Sequence, residues 1–245
     1  MRGGLQAHAL VAKRYPASDC FVVEARAEAA QAAMKFIAKP LWSPARWTGG
    51  KTRFSAPPDG AVQMLWANMA LHMAPAPQAL MAQWHRALAT DGFLMFSALG
   101  PDTLRELRAL YAQLGWPPPA HEFTDMHDWG DMLVQAGFAE PVMDMERITL
   151  TWASPERLLA ELRELGANLH PQRFAALRGR GWRLSLERAL AARLASPAHD
   201  GRLALTFEII YGHALKPAPR VRVASESAVS LRDMRALLQG GGKSR

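Results

Sequence analysis

Five side chains that could hold or move charge crowd one short stretch: His121, Asp125, His127, Asp128 and Asp131. Imidazoles and carboxylates together make metal ligands, but this spacing matches no standard zinc pattern. Asp128 reads more simply as a helix cap, so no metal is expected there. Cys20 is the one cysteine, which leaves neither a disulfide framework nor a thiolate metal site. Cationic side chains are more concentrated. Between residues 171 and 194, Arg173, Arg178, Arg180, Arg183, Arg188 and Arg193 face only Glu187, a local charge of +5. Residues 216–245 carry another +5 within a chain of net charge +7, so the presumed core is slightly acidic at −3. A solvated arginine face accounts for such a pattern, because charge alone speaks of solubility and non-specific partners rather than of fold. The basic tail has no aromatic residue interleaved with its charges, which argues against stacking-based nucleic-acid binding.

The elements that must position these groups follow from apolar patterning. A chain of 245 residues with 49% apolar and 21% charged residues can bury one sizeable core. No run approaches the roughly 20 apolar residues that span a bilayer. The opening Met1-Arg2-Gly3-Gly4 lacks the apolar core of a secretory signal, and a cytoplasmic protein is expected. Short apolar runs alternate with helical patterns, the signature of an α/β sheet. Strands are predicted at 21–24, 61–66 and 93–96, the last following an Asp91-Gly92 break. Helices are predicted near 5–15, 25–38, 80–88, 104–114 and 128–136, with Gly137 closing the last in a left-handed cap. Residues 40–60 read as loop. Ile148, Leu150 and Trp152 alternate with threonines, and Leu203, Leu205, Phe207, Ile209 and Tyr211 alternate likewise, as half-buried strands do. Between them, Ser154-Pro155-Glu156 starts one helix and Trp182, Leu186, Leu190 and Leu194 mark another. A weak helix is expected near 230–239. The whole predicts an open, mostly parallel sheet whose last pair is antiparallel, with residues 153–200 forming a helical lid over the strand ends.

Composition and spacing stop at a nucleotide-type α/β fold. The run Phe93-Leu94-Met95-Phe96-Ser97-Ala98-Leu99-Gly100-Pro101-Asp102-Thr103-Leu104-Arg105-Glu106-Leu107 goes further. So do Phe123-Thr124-Asp125-Met126-His127-Asp128-Trp129-Gly130-Asp131 and Ala136-Gly137-Phe138-Ala139-Glu140-Pro141-Val142-Met143-Asp144-Met145-Glu146. With Leu165-Gly166-Ala167-Asn168 and Phe207-Glu208-Ile209-Ile210-Tyr211-Gly212-His213, these motifs resemble the malonyl-acyl-carrier-protein O-methyltransferase family of biotin synthesis, in the family's order, over roughly residues 61–217. The resemblance implies a class I S-adenosylmethionine-dependent methyltransferase with a seven-stranded Rossmann-like sheet and a helical lid insertion. Residues 1–217 would form that domain, and 218–245 a basic tail. The implied reaction moves a methyl group to the free carboxylate of a malonyl thioester on acyl carrier protein.

The same resemblance assigns roles. Gly3 and Gly4 would be the remnant of a glycine-rich cofactor loop whose preceding strand is missing or degenerate. Glu24, ending the second strand, would hydrogen-bond the cofactor's ribose. Ser55 stands where the family has an acid beside adenine. Asn68 would order the methionine end of S-adenosylmethionine, and His72 would face the substrate as the catalytic candidate. Arg178 and Arg183 would bind an acidic acyl carrier protein. Tyr211 is expected to pack in the core. The compressed segment around residues 51–60 also admits a divergent, non-catalytic methyltransferase-fold binding or regulatory protein.

Overall fold

The computed structural model describes residues 4–24, 27–37 and 50–219. In chain order the elements are α1 (Gly4–Arg14), β1 (Cys20–Phe21), α2 (Ala27–Ile37), β2 (Thr52–Arg53), β3 (Val62–Ala67), α3 (Pro77–Ala87), β4 (Leu88–Leu99), α4 (Arg105–Gln113), α5 (Met126–Gln135), β5 (Ala139–Trp152), α6 (Pro155–Leu165), α7 (Arg180–Arg193) and β6 (Leu203–Leu215). Short 3₁₀ turns cover Leu71–Met73 and Pro197–His199. No described helix is long and apolar enough to cross a membrane.

The main sheet has the order β3-β4-β6-β5, and β1 and β2 form a separate two-stranded sheet. β3 runs parallel to β4, whereas β6 is antiparallel to both β4 and β5. The expected dominance of parallel pairing is therefore corrected: among the described residues two pairings are parallel and two antiparallel. Among the described residues six strands in two sheets stand where the resemblance implied seven in one.

Several boundaries also move. β4 starts at Leu88 and runs through Asp91-Gly92, which the sequence read as a break. The reason is the partner strand: the Lys216 N–H donates to the Gly92 carbonyl and the Asp91 N–H to that of Lys216, so pairing with the β6 end of the chain continues there. β5 begins at Ala139 rather than Ile148 because its whole length finds partners on β6. The cap of α5 is Asp125, whose carboxylate accepts the His127 N–H at 2.8 Å, and not Asp128. Gly137 does take positive φ, at 96°, after that helix. The helix expected near 230–239 lies outside the described residues.

Alternation on the strands feeds two clusters. Leu94, Phe96 and Ala98 of β4 and Ile210 and Ala214 of β6 pack under α3 and α5 with Met81, Trp129 and Leu133. Leu99, Leu205 and Phe207 instead join Leu107 and Tyr111 of α4, Leu158 of α6, and Leu186 and Leu190 of α7. Each fully buried leucine here contributes about 1.5–3 kcal/mol relative to exposure. β6 is thus a central strand, and the half-buried reading of it is corrected: Thr206, Glu208 and Ile210 are as buried as Leu205 and Phe207. Tyr211, expected in the core, is 42% exposed with its hydroxyl on the Glu146 carboxylate. Gly212 is required here, since a Cβ would collide with the Phe96 ring on the neighbouring strand.

Candidate functional site

β3 and β4 end side by side, Ala67 beside Phe96, and the chain leaving β3 turns at once. Met69 adopts φ of 50°, an uncommon conformation for a side chain of its size. Its N–H donates to the Ser97 hydroxyl at 3.0 Å, and that hydroxyl donates to Asn68 Oδ1 at 2.5 Å. Ser97 thus ties the strand-end turn to β4 and fixes the Asn68 amide by its oxygen. Its hydroxyl inside an otherwise apolar run was the signal available in the sequence.

His72, in the 3₁₀ turn that follows, is 8% exposed. Its Nδ1 accepts the Leu99 N–H at 3.3 Å, so the ring proton sits on Nε2. Burial, with the neighbouring His121 adding to it, lowers the pKa of His72 to about 4. The imidazole is neutral at physiological pH and is a donor, not a cation. His121 donates from Nε2 to the His72 carbonyl at 3.0 Å, and both rings contact Phe123 edge-on or tilted. His121 Nδ1 is buried without a hydrogen-bond partner among the described residues. Of the other candidate ligands, Asp125 is committed to His127, whose N–H and Nδ1 it binds at 2.8 and 2.7 Å.

The loop after β4 is held by a buried carboxylate that sequence reasoning missed. Glu208, 3% exposed, accepts the Asp102 N–H at 2.8 Å and lies 3.5 Å from the Arg147 guanidinium. Arg147 also donates to Asp102 at 2.6 Å. The Glu208 carbonyl accepts the Gly100 N–H and the Thr103 hydroxyl, and Thr103 Oγ1 accepts the Glu208 N–H. A Cβ on Gly100 would sit 2.5 Å from Glu208 Oε2, which explains the glycine. A charge inside an alternating apolar strand, Phe207-Glu208-Ile209, was the one hint of this network.

The remaining candidates are distributed. Gly3 lies outside the described residues, and Gly4 opens α1. Glu24 follows β1 by three residues and is half-buried, and exposed Ser55 follows β2. Both lie just beyond the strands of the small sheet, which pairs with the main sheet through no described strand. Arg183 pairs with Glu187 at 2.7 Å, one turn along α7. Arg178 pairs with no carboxylate among the described residues and lies over aromatic rings instead.

Comparison with known proteins decides the kinship. The chain is 32% identical over 206 residues to the malonyl-[acyl-carrier protein] O-methyltransferase of Xylella fastidiosa, covering 84% of this chain and 68% of that relative. The chain belongs to the malonyl-[acyl-carrier protein] O-methyltransferase family. Family members from Laribacter hongkongensis and Gallionella capsiferriformans are each 46% identical, over 168 and 163 residues, or 67% and 66% of this chain. In both cases the match covers 54% of the relative, so the chain spans about half the length of these curated family members. No protein-family model matches the sequence. Among solved structures, a Bacillus halodurans protein described as a methyltransferase superposes with a TM-score of 0.57 at 15% identity, covering 88% of this chain and 90% of that one. The YcgJ protein of Bacillus subtilis gives 0.55 at 12% identity, with 88% and 89% covered. At such identities the likeness shows fold alone: the family's Rossmann-like α/β architecture is present here.

Proposed function

We propose that this chain carries out S-adenosylmethionine-dependent O-methylation of the free carboxylate of a malonyl group held on acyl carrier protein. Its 46% identity to relatives named for that reaction is the observation that carries the reading. The cytoplasm is the proposed compartment, where the lone Cys20 stays a thiol.

The strand-end turn fits the cofactor. Asn68, its oxygen bound by Ser97, presents amide donors suited to the carboxylate of an amino-acid moiety. Glu24 and Ser55 are the proposed partners of ribose and adenine, and Gly4, which opens α1, is the proposed remnant of the cofactor loop. When bound, the cofactor supplies an electrophilic methyl group on a sulfonium centre. The acceptor is a carboxylate, already anionic at neutral pH, so the chain needs no strong general base. That requirement agrees with His72, whose pKa near 4 makes it a poor base and a neutral Nε2–H donor. His72 is assigned to orient the acceptor carboxylate by that proton. Alignment of the reacting atoms and exclusion of water then supply the rate, and α6 and α7, inserted between β5 and β6, form the proposed lid. The arginine-rich face that includes Arg178 and Arg183 is the proposed meeting surface for the acidic carrier.

The test is a radiolabelled methyl-transfer assay with malonyl-acyl carrier protein, run on the wild type and on Asn68→Ala. Transfer by the wild type and a loss of at least about tenfold in the variant are expected, the loss of one well-placed hydrogen bond to a charged group. Absence of both transfer and S-adenosylhomocysteine binding in calorimetry would return the chain to a non-catalytic binding role.

A further inference from the structure

Tyr111, Trp116 and Trp182 stack in sequence, with ring centroids 5.2 and 5.5 Å apart. Arg178 extends that ladder: its guanidinium carbon lies 3.9 Å from the Trp182 ring centroid and 4.4 Å from that of Phe174. Rings flanking a guanidinium cover its faces, limit its hydration there, and leave the in-plane N–H edge as the direction for hydrogen bonding. Three other arginines do have carboxylates. Arg147 binds Asp102 and Glu208, Arg183 binds Glu187, and Arg157 binds Glu161. Arg178 pairs with none among the described residues. Burial raises the pKa of the Tyr111 hydroxyl while the Arg178 charge opposes it, which places the two groups within electrostatic reach.

The position matters as much as the chemistry. Leu99 and Tyr111 belong to the cluster on which Met69, Trp116 and Trp182 pack. Met69 is the residue whose N–H binds Ser97, next to Asn68. The aromatic ladder beneath Arg178 and Met69 of the strand-end turn therefore pack against one apolar cluster. A guanidinium flanked by two rings presents a planar fork that matches a planar, two-oxygen anion.

We propose that the Arg178 guanidinium, clamped by Phe174 and Trp182 and assisted by the Tyr111 hydroxyl, is a receptor for a carboxylate. This rests on the malonyl-carrier reading only for the origin of that carboxylate, which is either the free end of the malonyl group or an acidic side chain of the carrier. Receptor and lid arginines differ in kind: Arg183 steers from the surface, and Arg178 reads a planar group in one orientation.

The experiment measures calorimetric binding of two probes, the malonyl thioester of N-acetylcysteamine and malonyl-acyl carrier protein. It uses the full chain and the variants Arg178→Gln, Arg178→Lys and Tyr111→Phe. S-Adenosylhomocysteine affinity and the urea midpoint report the fold. Arg178→Gln is expected to weaken both probes roughly ten- to hundredfold, the range for a charge-assisted hydrogen-bonded pair, with cofactor affinity unchanged. Arg178→Lys, keeping charge but losing the planar fork, should recover only part of that, and Tyr111→Phe should cost a few fold. Loss confined to the carrier-linked probe keeps the receptor and assigns the carboxylate to the carrier. Equal affinities of wild type and Arg178→Gln for both probes overturn it, as does a wild type that binds neither. Should Arg178→Gln fail to fold, the lysine and phenylalanine variants decide in the same way. A wild type that binds these probes through Arg178 yet transfers no methyl group retires the proposed reaction and leaves the receptor standing.

Discussion

The two sheets of this molecule are held by different means. β5 and β6 pair continuously from Val142 with His213 to Trp152 with Leu203, and β6 pairs with β4 from Leu215 with Phe93 to Ile209 with Leu99. β1 and β2 meet only at Cys20 with Thr52 and Phe21 with Arg53. Asp19 assists that junction, accepting the Lys51 N–H at 2.9 Å and pairing with Arg53 at 3.0 Å, but both side chains of the ion pair are about half exposed. The main sheet is sandwiched between two apolar clusters, and no described residue of the small sheet joins either. The small sheet carries the proposed adenosine contacts and the main sheet the proposed methyl-transfer end. Cooperative stability and the proposed adenosine contacts are therefore lodged in different places.

The largest expected effect tests whether the main sheet depends on its buried charge. Glu208→Ala strips the Asp102 N–H of its charged acceptor, frees the 100–103 loop and leaves a cavity where the buried stem packed, while half-exposed Arg147 keeps Asp102, so urea denaturation should show a loss of roughly 3–5 kcal/mol. A loss below about 1 kcal/mol would mean that the network decorates the sheet and does not hold it. Next, Leu158→Ala, which cuts the α6 anchor from the cluster, should cost about 2–5 kcal/mol by the same measurement.

A third prediction uses pH. The His72 pKa falls from 6.5 unfolded to about 4 folded, so between those values the unfolded chain binds more protons. Stability is full above pH 6.5 and declines as pH falls toward 4, by roughly 3 kcal/mol for this group. In a pH series of urea midpoints, His72→Asn should flatten that segment; an unchanged slope would sever His72 from the core of the main sheet. The smallest effect belongs to the other region. Asp19→Ala should leave the urea midpoint essentially where it is, since the ion pair it breaks is exposed to solvent. Hydrogen exchange sharpens the same contrast: β5 and β6 amides should exchange only through global unfolding, and those of β1 and β2 through local opening. Equal protection of the two sheets would erase the distinction.

Much of the main sheet was legible because one face of each element announces itself. Pro155 after a serine cap, Gly137 after α5, and the leucines of α6 and α7 have local causes, and local causes survive in a sequence. The limits of β4 and β5 were not legible, since a strand extends as far as its partner does, and the partner here is β6, some 50 to 125 residues downstream. The β1–β2 pairing was missed for a related reason: two residues leave no periodicity to read. Asn68 and His72 were reached through resemblance, but the hydroxyl and amide that fix them, from Ser97 and Leu99, lie on the neighbouring strand.

By itself the sequence determined the element types, the family motifs from Phe93 to Gly212, and the supply of arginines between β5 and β6. Tertiary structure decided what those groups became. It neutralised His72 by burial, enclosed Glu208 against Arg147, and laid Arg178 over two rings while pairing Arg183 with its own helix. A side chain's charge and hydrogen-bonding capacity are written in its chemistry, but desolvation and partners are set by chain that is distant in sequence and close in space.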